Sequence, residues 1–301
     1  MMRLKNTQVN FIKYSKIYFV IGGILLLAST AALVVWGLNP GIDFTGGSIL
    51  EIDYLNARRA NEEIEKALAG LNLDSLSVQS AGERGVIIRT KYISEETHQE
   101  IIGILRDGQS IEEKRFESVG SIIGRELKQK TFTLVFVCLF AIVFYIALAF
   151  RKVRGPVKAW QYALSSLVSL FHDILIPLGV FAALGKFYNV EISIPVVTAL
   201  LTVIGCSINN VVVVFDRIRE NTIRKGAVNF GETVNDSISQ TLGRCLSTTF
   251  VYLLPLFAIF FFGGETLKYF ALALIIGIIA GTISAVFLAS PVLVFWGNKK
   301  S

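Results

Sequence analysis

Six side chains in this sequence are polar where their neighbours are not. His172 and Asp173 lie side by side near the centre of an apolar run over residues 160–184. Asn209 and Asn210, with Ser207 just before them, interrupt another over 192–215, and Arg244 precedes a third over 245–263. A charge at mid-bilayer costs roughly 2.5–3.5 kcal/mol on insertion scales, so ionisable groups there point to function. The residue types define a chemistry. A carboxylate and an imidazole exchange protons, carboxamides hydrogen-bond a carboxylate, and a guanidinium neutralises one. With consecutive runs antiparallel, these groups meet across one interface. The expectation is a neutralised Asp173–Arg244 pair that accepts amide hydrogen bonds from Asn209 or Asn210, an ion relay. The competing reading is helix-to-helix glue, where one hydrogen bond is worth about 0.6 kcal/mol. A full carboxylate and a guanidinium exceed what glue requires. For Asp216, Arg217 and Arg219, at the end of the same run, an interface role and a functional one stand equally open.

The elements that position these groups follow from composition. Of 301 residues, 53 % are hydrophobic and 17 % charged, and the mean hydropathy is +0.59. Soluble domains carry roughly 25 % charged residues. The composition therefore excludes a water-soluble globule, a disordered chain and a disulfide-stapled secreted fold. Six apolar runs, at 17–38, 131–150, 160–184, 192–215, 245–263 and 268–296, reach the roughly 20 residues that cross 30 Å of hydrocarbon. Residues 1–16 precede the first span, and 126–301 form a five-helix membrane domain. Basic clusters (Arg3, Lys5, Lys13, Lys16; Arg151, Lys152, Arg154, Lys158; Arg217, Arg219, Arg224, Lys225; Lys299, Lys300) fall on alternate loops. The positive-inside rule then places both termini in the cytoplasm. The formal +6 charge is a membrane-surface charge facing anionic lipids, with no nucleic-acid partner implied.

One sizeable polar segment remains, 39–125, on the outer side. It carries ten Lys/Arg against fifteen Asp/Glu. Alternation over Ser48–Tyr54 predicts a strand. Asn61 is expected to cap a helix through Leu71, and two strands, Leu76–Ser80 and Val86–Thr90, flank Gly82–Gly85. Ser94 opens a helix that ends near Gly108, and Ile111–Val119 forms a last strand. The order β-α-β-β-α-β is that of a ferredoxin-like α+β unit. It has one open sheet face and a strand edge suited to a polypeptide. His98 is read as a solvated helix residue. No nucleophile–base pair, metal cluster or phosphate-binding glycine loop is present, so no enzyme activity, cofactor or metal is expected. Cys138, Cys206 and Cys245 read as small buried hydrophobes, and Gly277 with Gly281 as a helix-packing GxxxG. Pro177, Pro195 and Pro255 suggest kinked or broken spans.

Several motifs resemble those of the SecF family of Sec protein-export membrane subunits, which are related to the RND transporters. They are Gly41-Ile42-Asp43-Phe44-Thr45-Gly46-Gly47 after the first span, His172-Asp173, Gly205-Cys206-Ser207-Ile208-Asn209-Asn210, Phe215-Asp216-Arg217-Ile218-Arg219-Glu220-Asn221, and Gln240-Thr241-Leu242-Gly243-Arg244. The resemblance spans essentially the whole chain. It implies a bacterial inner-membrane protein in a heterodimer with SecD, working beside SecYEG, often with YajC. The complex would draw on a proton or sodium gradient to assist late steps of polypeptide translocation. The family commonly carries Asp, associated with ion conduction, where this chain has Asn210. Charge carriage in this half would then rest on Asp173, with His172, or on SecD. Other readings are an RND-like exporter half for lipids or small molecules, and an ion-uncoupled scaffold for SecD.

Overall fold

The computed structural model describes residues 11–151, 156–225 and 229–298. Arg3, Lys5, Lys152, Arg154, Lys299 and Lys300 lie outside the described residues. The chain divides into two compact units, one of Pro40–Thr133 and one of Met1–Asn39 with Leu134–Ser301.

In the Pro40–Thr133 unit, a one-turn helix α2 (Ile42–Thr45) leads into β1 (Gly47–Tyr54). Then come α3 (Asn61–Leu68), β2 (Ser77–Ala81), β3 (Gly85–Thr90), α4 (Glu95–Arg106) and β4 (Ile111–Val119). The sheet order is β2-β3-β1-β4 with every neighbouring pair antiparallel, which is the ferredoxin-like arrangement. Period-2 alternation sends Leu50, Ile52 and Tyr54 of β1 and Val86 and Ile88 of β3 to one face. There they bury against Ile64 and Leu68 of α3 and Ile101 and Leu105 of α4. The other face is polar: Arg89 donates to Gln79 at 2.6 Å, and Lys114 sits 3.0 Å from Glu112. β4 pairs with β1 alone and is an edge strand, its register shifting between Glu51 and Ile52.

Two expectations are corrected in this unit. Asn61 is the first residue of α3, and Ala60 holds the N-cap position. The Asn61 side chain instead serves the sheet, accepting from Arg58 and Ser80 and donating to the Val78 carbonyl. His98 is only 3 % exposed. Its ring stacks on Phe116 with centroids 3.8 Å apart, and Glu95 and Glu113 lie 3.1 and 3.4 Å from its two nitrogens. The aromatic ring on β4 gives the imidazole an apolar face to cover, which one turn of polar helix sequence does not reveal.

This corner carries a pH prediction. Hydrogen bonds from Gln99 first, and from His98, hold the Glu95 carboxyl below its ordinary 4.5. A carboxylate depressed in the folded state contributes stability above its unfolded value and loses it as pH falls through the folded one. Amide-exchange protection at the start of α4 in the full chain is expected to hold down to about pH 5 and decline below it. A Glu95→Gln variant should show no such step.

The membrane unit contains α1 (Ser15–Trp36), the apolar part of α5 (Ser121–Ala149), α6 (Ala159–Tyr188), α7 (Ile194–Lys225) and α8 (Phe230–Phe262). Its last span is α9 (Glu265–Ser284), a π-helical segment (Ala285–Ala289) and α10 (Ser290–Asn298). All six are long and apolar enough to cross a bilayer. The fourth and fifth apolar runs lie in helices that extend further than the runs, to Lys225 and back to Phe230. Pro195 is the second residue of α7, where a missing N–H costs nothing, so it breaks no span. Pro177 and Pro255 do lie inside helices.

The last span is the centre of the bundle: 72 % of its most apolar window is buried, against 6 % for α1. α9 packs on α6, α7 and α8. Its approach to α7 depends on the GxxxG. A Cβ on Gly277 would lie 2.3 Å from a Val203 methyl, and one on Gly281 2.9 Å from Ser207 Cβ. Near the other ends of these helices, Phe150, Tyr162 and Phe215 close the core, the first two stacked at 4.9 Å and the last edge-on to Tyr162 at 5.3 Å. Cys245 is buried, and Cys138 and Cys206 are half-buried.

Candidate functional site

Helical periodicity explains why α6 buries so many hydroxyls. Ser165, Ser166, Ser169, His172 and Asp173 repeat at three- and four-residue spacing and therefore share one face. All five are buried. Asp173 lies mid-helix with no solvent exposure. Its Oδ1 is 3.0 Å from His172 Nδ1, and its Oδ2 accepts a short hydrogen bond from the Ser207 hydroxyl of α7. The carboxyl thus joins two helices. Gly281 makes this possible, because its missing side chain leaves the volume that Ser207 fills.

A second polar cluster lies in the same bundle. Asn210 is buried and donates from Nδ2 to Thr282 Oγ1 of α9 at 3.2 Å. Thr282 is 2.6 Å from Thr249 Oγ1 of α8. Three helices are tied by one amide and two hydroxyls.

The expected Asp173–Arg244 pair does not form. Asp173 is on α6 and Arg244 on α8, and α9 packs on both helices. Arg244 is exposed, while Cys245, one residue and about 100° further round α8, takes the inward position. Neither amide reaches the carboxylate. Asn209 is exposed, and Asn210 is engaged with Thr282. Polarity in neighbouring spans does not fix a shared location, because each helix offers several faces and only one meets a given neighbour.

Arg244 instead lines an open cleft of about 560 Å³ with Asp216, Arg217, Arg219, Glu220 and Gln240. Arg219 pairs with Asp216 at 2.9 Å and Arg217 with Glu220 at 2.6 Å. The Arg217 Nε donates to Gln240 at 2.5 Å, joining α7 to α8. This cleft opens beside a line of exposed small and polar residues, Thr198, Thr202, Gly205 and Asn209 on α7 with Arg244 and Ser247 on α8.

The motif Gly41–Gly47 lies elsewhere, in the Pro40–Thr133 unit. Gly41 caps α2, and Asp43 is in its first turn. Gly46 has φ 77° and ψ 159°, a region essentially reserved for glycine. Its Cβ would lie 2.7 Å from Ser121 Cα, and a Cβ on Gly47 would lie 2.9 Å from the Thr90 carbonyl oxygen. These two residues make the sharp, crowded turn into β1. They are structural.

Two features escaped the sequence reading, the Ser169–Ser284 hydroxyl pair (2.7 Å) and the Thr249–Thr282 pair. The first had a signal, since Ser165, Ser169 and Asp173 share a helix face. The second had none, because single threonines in apolar helices are ordinary. Among the described residues no group of three His, Cys, Asp or Glu side chains is placed to hold a metal ion.

Six apolar helices with a ferredoxin-like insertion after the first, and a buried carboxyl joining two spans, define a class of polytopic membrane proteins with one α+β unit outside the spans. The comparisons give the particular family. Residues 102–299 match the model of the C-terminal region of the protein export membrane proteins SecD and SecF, and residues 31–54 match the SecD/SecF GG motif. The chain is 38 % identical to the protein translocase subunit SecF of Thermobaculum terrenum, covering 97 % of this chain and 95 % of that one. With SecF of Vibrio alginolyticus it shares 37 %, covering 97 % and 91 %.

The crystal structure of SecDF, a translocon-associated membrane protein from Thermus thermophilus, superposes with a TM-score of 0.85 at 30 % identity. The match covers 99 % of this chain and 40 % of the SecDF chain. The chain belongs to the SecD/SecF family, and its relatives place it with the SecF subunits of the protein-export machinery. It is a multi-pass protein of the bacterial inner membrane, and it is also 34 % identical to the protein translocase subunit SecDF of Brucella abortus, over 97 % of this chain and 38 % of that one.

Proposed function

We propose that this chain is the SecF half of a gradient-driven export complex, and that Asp173 is the group in this half that takes up and releases the coupling proton. The observation that carries the reading is the placement of Asp173, with no solvent exposure at mid-span and its two oxygens engaged by His172 of α6 and Ser207 of α7. Protonation removes a buried charge and weakens the charge-assisted hydrogen bond between the two helices. One charge crossing 100 mV releases about 2.3 kcal/mol, enough to shift a two-state equilibrium about fifty-fold.

The termini are assigned to the cytoplasm and the Pro40–Thr133 unit to the outer side. The polypeptide connections from α1 and into α5 carry the change to that unit. The free edge of β4 holds and releases emerging polypeptide by strand addition. SecYEG and YajC are the assigned neighbours, no cofactor or catalytic activity is assigned, and the ion is a proton, with sodium the alternative.

The exposed polar line on α7 and α8 supports packing against the six spans of SecD. An arginine facing hydrocarbon costs roughly 2.5–3.5 kcal/mol, so Arg244 gains a protein neighbour when that face is covered. Crosslinks from cysteines placed at Thr202 and Ser247 are expected to reach SecD and not lipid.

Asn210 favours a second reading, a scaffold uncoupled from ions, because an amide does not titrate. The decisive experiment is preprotein release from inverted vesicles, with and without a gradient, for chains carrying Asp173→Asn or Arg244→Ala with SecD association verified. Loss of the gradient-dependent part in Asp173→Asn supports coupling here. Normal release in both variants makes this half a scaffold. An Asn210→Asp chain is expected to keep export while making its dependence on pH steeper, through a second protonatable group beside Thr282. An unchanged profile would remove that cluster from the ion path.

A further inference from the structure

Asp173 needs a way to exchange its proton with an aqueous phase, and its contacts leave one unexplained side. His172 Nδ1 faces the carboxyl, but the far nitrogen, Nε2, points toward α1, 3.8 Å from where a Cβ on Gly22 would lie. A cavity of about 50 Å³ opens at that place. Its wall contains three polar residues, His172, Ser284 and Tyr18, among apolar ones such as Leu25 and Leu288. The pocket is half open and its surface mostly apolar, so a water there depends on the polar atoms of His172 and Ser284.

Ser284 in turn is 2.7 Å from Ser169 Oγ, one turn back along α6 from Asp173. One further turn back, Ser165 donates at 2.6 Å to the Ala289 carbonyl in the π-helical segment, where the regular α-helical bond pattern is broken. The groups that face this line from the packed elements are Tyr18 and Gly22 of α1, Ser207 of α7, and Gly281 and Ser284 of the last span. None is charged, and Tyr18 and His172 are its titratable members.

The geometry points to a proton route that leaves Asp173 through His172, crosses the cavity beside Gly22, and runs down the Ser284–Ser169 hydroxyl pair toward the N-terminal end of α6. This deepens, and rests on, the reading of Asp173 as the proton carrier. The step balances on the imidazole. The carboxyl proton passes from Oδ1 to Nδ1 as the ring releases its Nε2 proton to the cavity, so the ring stays neutral and ends as the Nδ1–H tautomer donating to the carboxylate. Ser169 and Ser284 then relay by rotating their hydroxyls, each accepting one proton and giving up another. This route is separate from the α7–α8 face that carries Arg244.

The test is proton uptake into proteoliposomes containing this chain with SecD, followed by an internal pH dye. Asp173→Asn is expected to stop uptake. The double variant Ser169→Ala/Ser284→Ala removes both hydroxyls and leaves no orphaned side-chain partner. It is expected to slow uptake about tenfold, a barrier increase of about 1.4 kcal/mol, and to enlarge the solvent deuterium isotope effect, which a purely structural lesion would not do. Gly22→Val, which puts carbon into the cavity and leaves the Ser169–Ser284 pair in place, should slow uptake to a similar extent, and it decides the matter should the double variant fail to assemble. Wild-type uptake and isotope effect in an assembled double variant, or in Gly22→Val, with Asp173→Asn blocked, overturns the route and leaves the role of Asp173 standing. Normal uptake in Asp173→Asn overturns both.

Discussion

Replacing Asp173 with Asn is expected to abolish the gradient-dependent component of preprotein release while leaving the gradient-independent component and SecD association intact. Asparagine keeps the volume and still accepts from Ser207, so packing survives and only the titration is lost. Removal of a proton-transfer group typically costs a factor of about 10²–10⁴ in the step it serves, enough to make the gradient-dependent part unmeasurable. Asp173→Ala is the harsher change. It leaves His172 Nδ1 and the Ser207 hydroxyl buried without their partner, at about 1–3 kcal/mol for each unsatisfied group. A comparison of thermal unfolding in detergent separates the two effects: Asp173→Asn should unfold near wild type and Asp173→Ala well below it. Equal midpoints with both variants active would remove Asp173 from coupling.

Gly46→Val is expected to prevent the Pro40–Thr133 unit from folding. Two independent costs combine. The backbone at φ 77°, ψ 159° is nearly closed to residues with a Cβ, which costs on the order of 1–3 kcal/mol. The added carbon would also meet the Ser121 backbone at 2.7 Å, a contact no rotamer relieves. Limited proteolysis of the membrane-embedded chain reads the result, with rapid cleavage between β1 and β4 in Gly46→Val and protection in the parent. Gly23, whose Cβ would meet nothing within 4 Å, is the control, and Gly23→Ala should be neutral. A resistant Gly46→Val would show that the turn can be rebuilt.

These expectations show which levels of the molecule were legible in its sequence. The spans were, because hydrocarbon imposes a length and a polarity that can be counted. So was the order of strands and helices in the ferredoxin-like unit, because period-2 and period-3.6 patterns differ over segments as short as Ile111–Val119, whose bounds the structure reproduces. Asp173 was legible as an outlier of polarity. Its partners were only half so. His172 was adjacent in the chain, but the choice of Ser207 over Arg244 depends on α9 lying at the centre, and that depends on Gly277 and Gly281 admitting α7. A GxxxG says that something packs closely, without saying against what. His98 failed for a related reason. Its burial is decided by Phe116, which lies on another element.

The edge strand β4 has a consequence beyond its own sheet. A nine-residue strand paired on one side is a template for any extended chain, including the same strand of a second molecule. The run Glu112-Glu113-Lys114-Arg115 with Glu117 sets charges along the strand, and charges on an edge strand add a desolvation cost to close edge-to-edge pairing. The same run leaves room for a passing polypeptide that contributes backbone hydrogen bonds and few fixed charges. Under the proposed role of β4 in strand addition, these charges discourage self-association of a strand that has to stay exposed.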